Sequence, residues 1–438
     1  MATEINHCRL CKSPNLDSIL ELGEESFTGI FPKSTTQTVP TGPLSLIKCT
    51  RCDLVQLAHS FDLNQMYGMT YGYRSGLNLS MVRHLKEKVE KLVQKYSPKP
   101  GDLILDIGSN DSTLLQSYPR MGFQLVGVDP SGVKFRQYYP DDISLIPDFF
   151  SAKTVTKHLG DKKAKLITSI AMFYDLEDPS QFVREVGAML APDGVWTLEQ
   201  SYLPTMLDAL SYDTICHEHL EYYGLKQIKW MMDAADLKIV DIEFNDVNGG
   251  SFSISVARKD AEYPECTERI QSVLADEKRR GLSTLQPYYE FKEAMEKHKR
   301  ILIQFFEKAK SDGKTVYGYG ASTKGNVLLQ YCGITREEMP FIAEVNEDKF
   351  GSFTPGTLIP IISETEARKK QPDYFFVLPW HFRNGILKRE TAFLEAGGQF
   401  VFPLPRFEIV SSKGSEYPLE TSANPELNRE RVPQQPTL

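Results

Sequence analysis

The 438-residue chain lacks any apolar run near the roughly 18–20 residues that cross a bilayer. Its first residues, "MATEINHCRLCK", do not have the charged-then-apolar layout of a secretory signal. It has no basic excess: the net charge is −8, spread evenly, which argues against a nucleic-acid-binding face. Cysteine is sparse, seven in all, and an odd number of thiols without a signal fits a reducing compartment. These absences point to a cytoplasmic protein with neither membrane nor nucleic acid as partner. A monomer is the expected state for a chain of this size.

What remains is the composition of an ordinary globular protein: 41% hydrophobic, 25% charged, mean hydropathy −0.33. The length suits two or three domains. Residues 1–70 are short on regular periodicity. Residues 71–260 alternate strand-like and helix-like stretches, the pattern of a βαβ sheet. Residues 261–312 read as a helical connection, with apolar positions of "YYEFKEAMEKHKRILIQFFEKAK" at helical spacing. From 313 to 412 strand-like runs resume as a second α/β unit. The polar, proline-bearing tail 413–438 reads as disordered.

Four of the cysteines are grouped. Cys8-x-x-Cys11 and Cys49-x-x-Cys52 each place two thiolates on one side of a turn, and two such knuckles complete a tetrahedral Zn²⁺ site. With four ligands the site is closed and structural.

"GDLILDIGSNDSTLL" (101–115) reads as strand, small-residue turn and helix start, and "FQLVGVDPS" (123–131) as a second strand ending in Asp129. Ligands of such sheets sit at the carboxyl ends of the strands. The dinucleotide pattern G-x-G-x-x-G is missing: Gly108 is followed by Asn110 and Ser112. A cofactor with ribose and adenine but no phosphates fits better, and S-adenosylmethionine is one. Gly108 would let the backbone approach its methionine part and Asp129 would bind its ribose, with Asp106 and Asn110 as further cofactor-binding candidates. Asp148 and Phe149 would border the adenine, and Ala171 opens the loop "AMFYDLEDP" that faces the methionine end.

"DTICHEH" (213–219) packs a cysteine, two histidines and a glutamate into four positions. Metal binding by Cys216, His217, Glu218 and His219 would need the chain to fold tightly onto itself. An acid–base role is the rival reading, and a purely structural one a third.

Three features together carry a resemblance: the double-CxxC module, "LDIGSNDSTLL" with "VGVDPS", and "EHLEYYGLKQI…NGGSF" followed by "GYGASTKGN". The chain resembles the S-adenosylmethionine-dependent sugar C-methyltransferases, which act on nucleotide-linked 4-keto deoxysugars, up to about residue 412. The resemblance implies a Rossmann-like class I methyltransferase core between an N-terminal zinc module and a C-terminal Rossmann-like sugar-nucleotide domain. It implies an active-site pair Glu218–His219, with His219 the general base that yields an enolate. Tyr71 and Tyr73, in a Tyr-rich segment, would reach the sugar, and Asn248 of "VNGGS" would lie near it. In "GYGASTKGN", Tyr319, Ser322, Lys324 and Asn326 would meet the nucleotide-sugar, a Gly-rich turn at a helix N-terminus being suited to phosphate. Glu344 and Asn346 would meet ribose or base.

The chain departs from that family at three positions. Ser112 replaces a glycine of the cofactor turn. Cys216 stands where a tyrosine is usual, and Asp175 where an active-site histidine is. Asp175 is therefore a further candidate for taking a proton or binding a hydroxyl. The expected reaction is methylation of C3 of a 4-keto-6-deoxyhexose. O-methylation of a sugar hydroxyl is the alternative within methyl transfer; a dinucleotide-dependent oxidoreductase and a non-catalytic zinc scaffold are the alternatives outside it.

Overall fold

A computed structural model describes residues 2–62, 66 and 73–417. Tyr71 and the tail from 418 onward lie outside the described residues.

The N-terminal segment contains more regular structure than its sequence suggests. Strands β1 (Thr3–Glu4), β2 (Leu16–Ser26), β3 (Thr41–Cys49), β4 (Val55–Leu57) and β5 (His59–Ser60) occupy it. β2 and β3 form a long antiparallel ladder whose register shifts at Ser18/Leu20 and again at Glu21/Gly23. Each bulge resets the alternation of inward and outward side chains. That is why no period-2 pattern survives in β2.

The central sheet comprises β6 (Leu103–Ile107), β7 (Gln124–Val128), β8 (Ile143–Ile146), β9 (Ala164–Ile170) and β10 (Leu190–Ser201), with β12 (Leu237–Asn245) and β13 (Ser251–Arg258). Their spatial order is β12-β13-β10-β9-β6-β7-β8. All neighbours pair parallel except β13, which runs antiparallel between β10 and β12. Apolar strands such as "LILDI" are buried along their whole length, as a sheet covered on both faces requires. The intervening strand β11 (Glu221–Tyr222) leaves this sheet. It pairs with β4, so the N-terminal sheet reads β11-β4-β3-β2.

The C-terminal unit has β14 (Val316–Tyr319), β15 (Ile342–Glu344), β16 (Ile361–Ser363), β17 (Tyr374–Val377), β18 (Gln399–Phe402), β19 (Glu408–Ser411) and β20 (Gly414–Glu416), in the order β16-β15-β14-β17-β18-β19-β20. β20 extends ordered structure past 412, into the stretch expected to be tail. In the chain between the two units runs a helix at Gln286–Ser311. It buries Tyr288, Phe291, Met295, His298, Leu302, Phe305, Phe306 and Ala309 at three- and four-residue steps.

The segments share their cores. One apolar cluster joins Leu44 and Leu46 of β3, Leu203 and Met206, this long helix, and Phe375 and Phe376 of β17. A second joins Cys8 and Cys49 to Trp196 and Phe173 of the central unit. The N-terminal sheet is thereby wedged between both larger units.

Candidate active site

The two CxxC turns are built alike. Each first cysteine's carbonyl accepts the N–H of the residue after the second cysteine: Lys12 to Cys8 at 3.0 Å, Asp53 to Cys49 at 3.0 Å. Lys12 and Asp53 both take left-handed φ values, 56° and 62°. The result brings Cys8 Sγ to 3.6 Å from Cys52 Sγ and Cys11 Sγ to 3.5 Å from Cys49 Sγ. All four sulfurs lie within 4.8 Å of one another. Tetrahedral zinc with ~2.3 Å Zn–S bonds needs sulfurs about 3.8 Å apart. The quartet fits that ion, with no fifth position for a substrate. Among the described residues it is the one group of His, Cys, Asp and Glu close enough to hold a metal; the side chains of Cys216, His217, Glu218 and His219 do not come together as such a group.

The strand order reverses between β6 and β9, and the crevice at their carboxyl ends carries the expected cofactor residues. Gly108, Asn110, Ser112 and Ala171 all have left-handed backbone, φ 75°, 47°, 64° and 53°. A Cβ on Gly108 would sit 3.0 Å from Met172 Cγ, so a larger residue would have to push this side chain aside as well as adopt left-handed backbone. Asp129 Oδ2 accepts the N–H of Asn110 at 2.8 Å, and Oδ1 that of Ser131 at 2.6 Å. Ser131 Oγ also donates to Oδ1 at 2.6 Å, so it is Oδ2 that keeps a lone pair for a ribose hydroxyl. Asp106 stays inside, accepting from Thr168 Oγ1 at 2.6 Å; burial and then the nearby Asp129 charge push it up to about 7. Asp148 and the half-exposed Phe149 follow β8, at the rim. Asn110 also fastens the preceding chain, accepting from Ser75 N at 3.0 Å and donating to the Tyr73 carbonyl. The Tyr73 side chain is 41% exposed. The residues present fit S-adenosylmethionine.

His219 lines a small cleft with Tyr174, Ser201, Leu203, Met206, Thr214, Glu221 and Tyr222. Its Nδ1 lies 2.7 Å from the Thr214 carbonyl, which can only accept, so Nδ1 carries the proton and Nε2 keeps its lone pair. The ring packs against Tyr174, centroids 4.3 Å apart. Burial, then the Lys324 charge, pull His219 down to about 3. Tyr174 and Asp175 come from a short 3₁₀ turn directly after Ala171, so one loop borders both the cofactor crevice and the histidine.

The neighbours of His219 have other tasks. His217 is fully buried between Phe27 and Phe61, its Nε2 donating to the Gly42 carbonyl at 3.1 Å. Glu218 is buried against the N-terminal module: Thr28 Oγ1 donates to it at 3.4 Å, and a Cβ on Gly29 would come within 3.0 Å of its Oε1. It is not in the wall of the cleft, and burial holds its carboxyl above the ordinary range. Cys216 is 1% exposed, its thiol raised well above normal by burial.

The C-terminal residues divide. Lys324 Nζ donates to the Asn248 carbonyl at 3.0 Å, so its charge stands among His219, Asp213 and His381. Asn248 is left-handed, φ 56°, in a turn whose Gly250 has no room for a Cβ: Thr205 Cγ2 would be 1.9 Å away. Ser322 caps its own helix by accepting from Gly325 N at 3.0 Å. Glu344 accepts the N–H groups of Ala321, Val345 and Asn346 at 2.7–2.8 Å, and Asn346 accepts from Asp348 N. Two expected substrate contacts have partners within the protein. Tyr319 is buried in the C-terminal unit, its hydroxyl donating to Glu390 at 2.9 Å beside Arg389. Asn326, with no exposed surface, donates to the Thr28 carbonyl at 2.8 Å and ties its helix to the N-terminal module.

Three residues not foreseen from sequence complete the cluster. Trp380 and His381 follow β17, beside the switch point of the C-terminal sheet between β14 and β17. Trp380 Nε1 donates to Asp213 Oδ2 at 2.8 Å, and the indole packs over Gly249. The sequence signal was available: "PWH" ends a strand-like run, where ligand-facing residues gather. The C-terminal switch point thus comes beside Asn248, Lys324 and Asp213.

This architecture defines a class I S-adenosylmethionine-dependent methyltransferase core carrying a structural zinc module, and the comparisons agree. Family models for a zinc binding domain (residues 8–67), a methyltransferase domain (81–242) and a C-methyltransferase C-terminal domain (246–405) match in succession. C-methyltransferase NovU of Streptomyces niveus is 30% identical over 417 residues, 94% of this chain and 98% of that protein. A ubiquinone biosynthesis O-methyltransferase of Azorhizobium caulinodans is 26% identical over 117 residues, 26% of this chain and 45% of that protein. Magnesium protoporphyrin IX methyltransferase of Synechocystis PCC 6803, solved with S-adenosylmethionine bound, matches at a TM-score of 0.31 and 14% identity, covering 41% of this chain and 81% of that one. The chain belongs to the C-methyltransferase family in which these three domains follow one another. It is an S-adenosylmethionine-dependent C-methyltransferase. No helix among the described residues is long and apolar enough to cross a membrane.

Proposed function

We propose that the enzyme methylates the carbon beside a keto group of a nucleotide-linked 4-keto-deoxysugar, at C3, with His219 as the base. The observation that carries this reading is the His219 tautomer. Thr214 holds the Nδ1 proton, so Nε2 is the free base in a cleft that Tyr174 of the cofactor loop also lines, with the Lys324 charge near enough to act on it. S-adenosylmethionine, when bound, supplies an electrophilic methyl group.

A proton alpha to a ketone is only weakly acidic, and its removal leaves charge on the carbonyl oxygen. His219 Nε2 takes that proton. The neighbouring cation, Lys324, favours the enolate charge electrostatically. The same cation disfavours protonation of the resting histidine, so the base stays neutral until substrate arrives. The nucleotide end would lie toward the turn Gly320–Lys324, where a helix N-terminus suits phosphate.

The test is mass spectrometry of the purified protein with S-adenosylmethionine, a panel of 4-keto nucleotide-sugars and heavy water. A gain of one methyl, with deuterium exchange at the substrate carbon that His219→Ala abolishes, supports the reading. Methyl gain without exchange, or on a sugar lacking the ketone, moves the assignment to O-methylation. Asp175, whose charge reaches the buried groups at the cleft, would then be the base to examine.

A further inference from the structure

One acidic group in the cleft has no task in the chemistry above. Glu221 is 1% exposed and lies in the same wall as His219. Neither of its carboxyl oxygens has a hydrogen-bond partner among the described residues. The nearest cation is Arg9 of the first zinc knuckle, whose Nε is 3.9 Å from Glu221 Oε1, too far for a hydrogen bond. Arg9 is already engaged: it donates to the carbonyls of Leu57 and His59 and to Ser60 Oγ at 2.7–2.9 Å. Its charge offsets part of the cost of burying the carboxyl without meeting its hydrogen-bonding capacity.

The backbone keeps Glu221 where it is. β11 pairs with β4, Glu221 opposite Gln56, and Leu57 N donates to the Leu220 carbonyl at 2.8 Å. The main chain of the residue is therefore fixed by the N-terminal sheet. Buried polar atoms are normally partnered, and the exceptions call for a ligand or a functional reason. A carboxyl accepts hydrogen bonds in either protonation state. A group in a walled cleft, beside a base and unsatisfied by the protein, has the properties of a subsite for a hydroxyl.

We infer that Glu221 binds a substrate hydroxyl next to the carbon being methylated and so determines which sugars the enzyme accepts. The inference rests on the nucleotide-sugar reading for the identity of its ligand. A site built to hydrogen-bond a hydroxyl rejects the analogue lacking it far more strongly than an apolar pocket rejects an added one.

The experiment compares the zinc-loaded full chain with its Glu221→Gln and Glu221→Asp variants. The probes are a nucleotide-linked 4-keto-6-deoxyhexose bearing its C2 hydroxyl and the 2-deoxy counterpart. Wild type is expected to favour the hydroxylated sugar in kcat/KM by about 10–100-fold or more. The Gln variant is expected to lose most of that ratio, with zinc content and S-adenosylhomocysteine binding unchanged. An unaltered ratio in both variants overturns the inference. If wild type methylates neither sugar, it is the proposed function that fails. A crystal structure of the S-adenosylhomocysteine complex then decides, as it does if the Gln variant loses zinc. An ordered oxygen hydrogen-bonded to the Glu221 carboxyl and exposed to the cleft supports the subsite; a carboxyl with none overturns it.

Discussion

The Nδ1–H of His219 donates to the main-chain carbonyl of Thr214, 2.7 Å away and five residues earlier in the chain. That bond selects one tautomer and directs the other nitrogen to chemistry. It is made within a single tight turn, where Thr214 ends the 3₁₀ segment Tyr212–Thr214 and Asp213 is held by Trp380. The C-terminal unit therefore orients a base that belongs to the methyltransferase segment.

His219→Gln keeps a donor for Thr214 but removes the base. Methyl transfer should fall by ~10²–10⁴-fold, the usual contribution of a general base. Calorimetric affinity for S-adenosylhomocysteine should stay within a factor of about three, because His219 does not line the crevice at Gly108. Retained turnover would remove His219 from the mechanism.

The pH profile should lack the inflection of an ordinary histidine. Burial and Lys324 both disfavour imidazolium and pull His219 down to about 3, so the base form persists as pH falls through 6.5. kcat/KM of the wild type should be level between pH 8 and 6. Lys324→Met removes the repulsion, so the histidine should titrate at higher pH and the acid limb should move upward. NMR titration of ring-labelled histidine checks the assignment. An identical titration in the two proteins would contradict the role given to Lys324.

Buried histidines should also shape acid stability. His298 is held by Tyr212 Oη at 3.0 Å and the Pro403 carbonyl at 2.7 Å, and burial lowers it to about 4. Between pH 6.5 and about 4 the unfolded chain takes up a proton that the folded one refuses. Stability from this residue thus falls as pH falls, by at most about 1.4 kcal/mol per pH unit. In His298→Asn, urea-unfolding free energies should decline less steeply over that window.

Zinc should be required for the fold around the cleft. Cys8 and Cys49 lie in the same apolar cluster as Phe173 and Trp196, and β11 carries Glu221 on the N-terminal sheet. Cys49→Ser or prolonged chelation should abolish zinc in elemental analysis, lower the Tm and eliminate methyl transfer together. A zinc-free protein with native Tm and full activity would refute this.

Gly250→Ala should be damaging through contact as well as backbone strain. At φ 115° its Cβ would fall 1.9 Å from Thr205 Cγ2. A loss above ~2 kcal/mol in urea unfolding is expected, with reduced turnover as Asn248 leaves Lys324. Gly313→Ala, at φ 68° with nothing within 4 Å, supplies the comparison for strain alone. It should cost about 1 kcal/mol.

The amino-acid sequence alone determined the features made by neighbours in the chain. Each CxxC knuckle closes within five residues. Gly108 follows its strand immediately, and Asp129 follows the next one. Their geometry follows from local backbone preference and is legible as a motif. Tertiary structure decided what lies far apart in sequence. Lys324 meets Asn248 across 76 residues, Trp380 meets Asp213 across 167, and Asn326 meets Thr28 across 298. None of these pairs leaves a periodicity to read. The same holds for Glu221, whose dipeptide strand leaves the central sheet to complete the N-terminal one. For Tyr319, a Gly-rich motif marks the end of a strand but not which partners its side chain meets. Side-chain direction there is set by packing against Glu390 and Phe375, partners chosen only when the sheet closes.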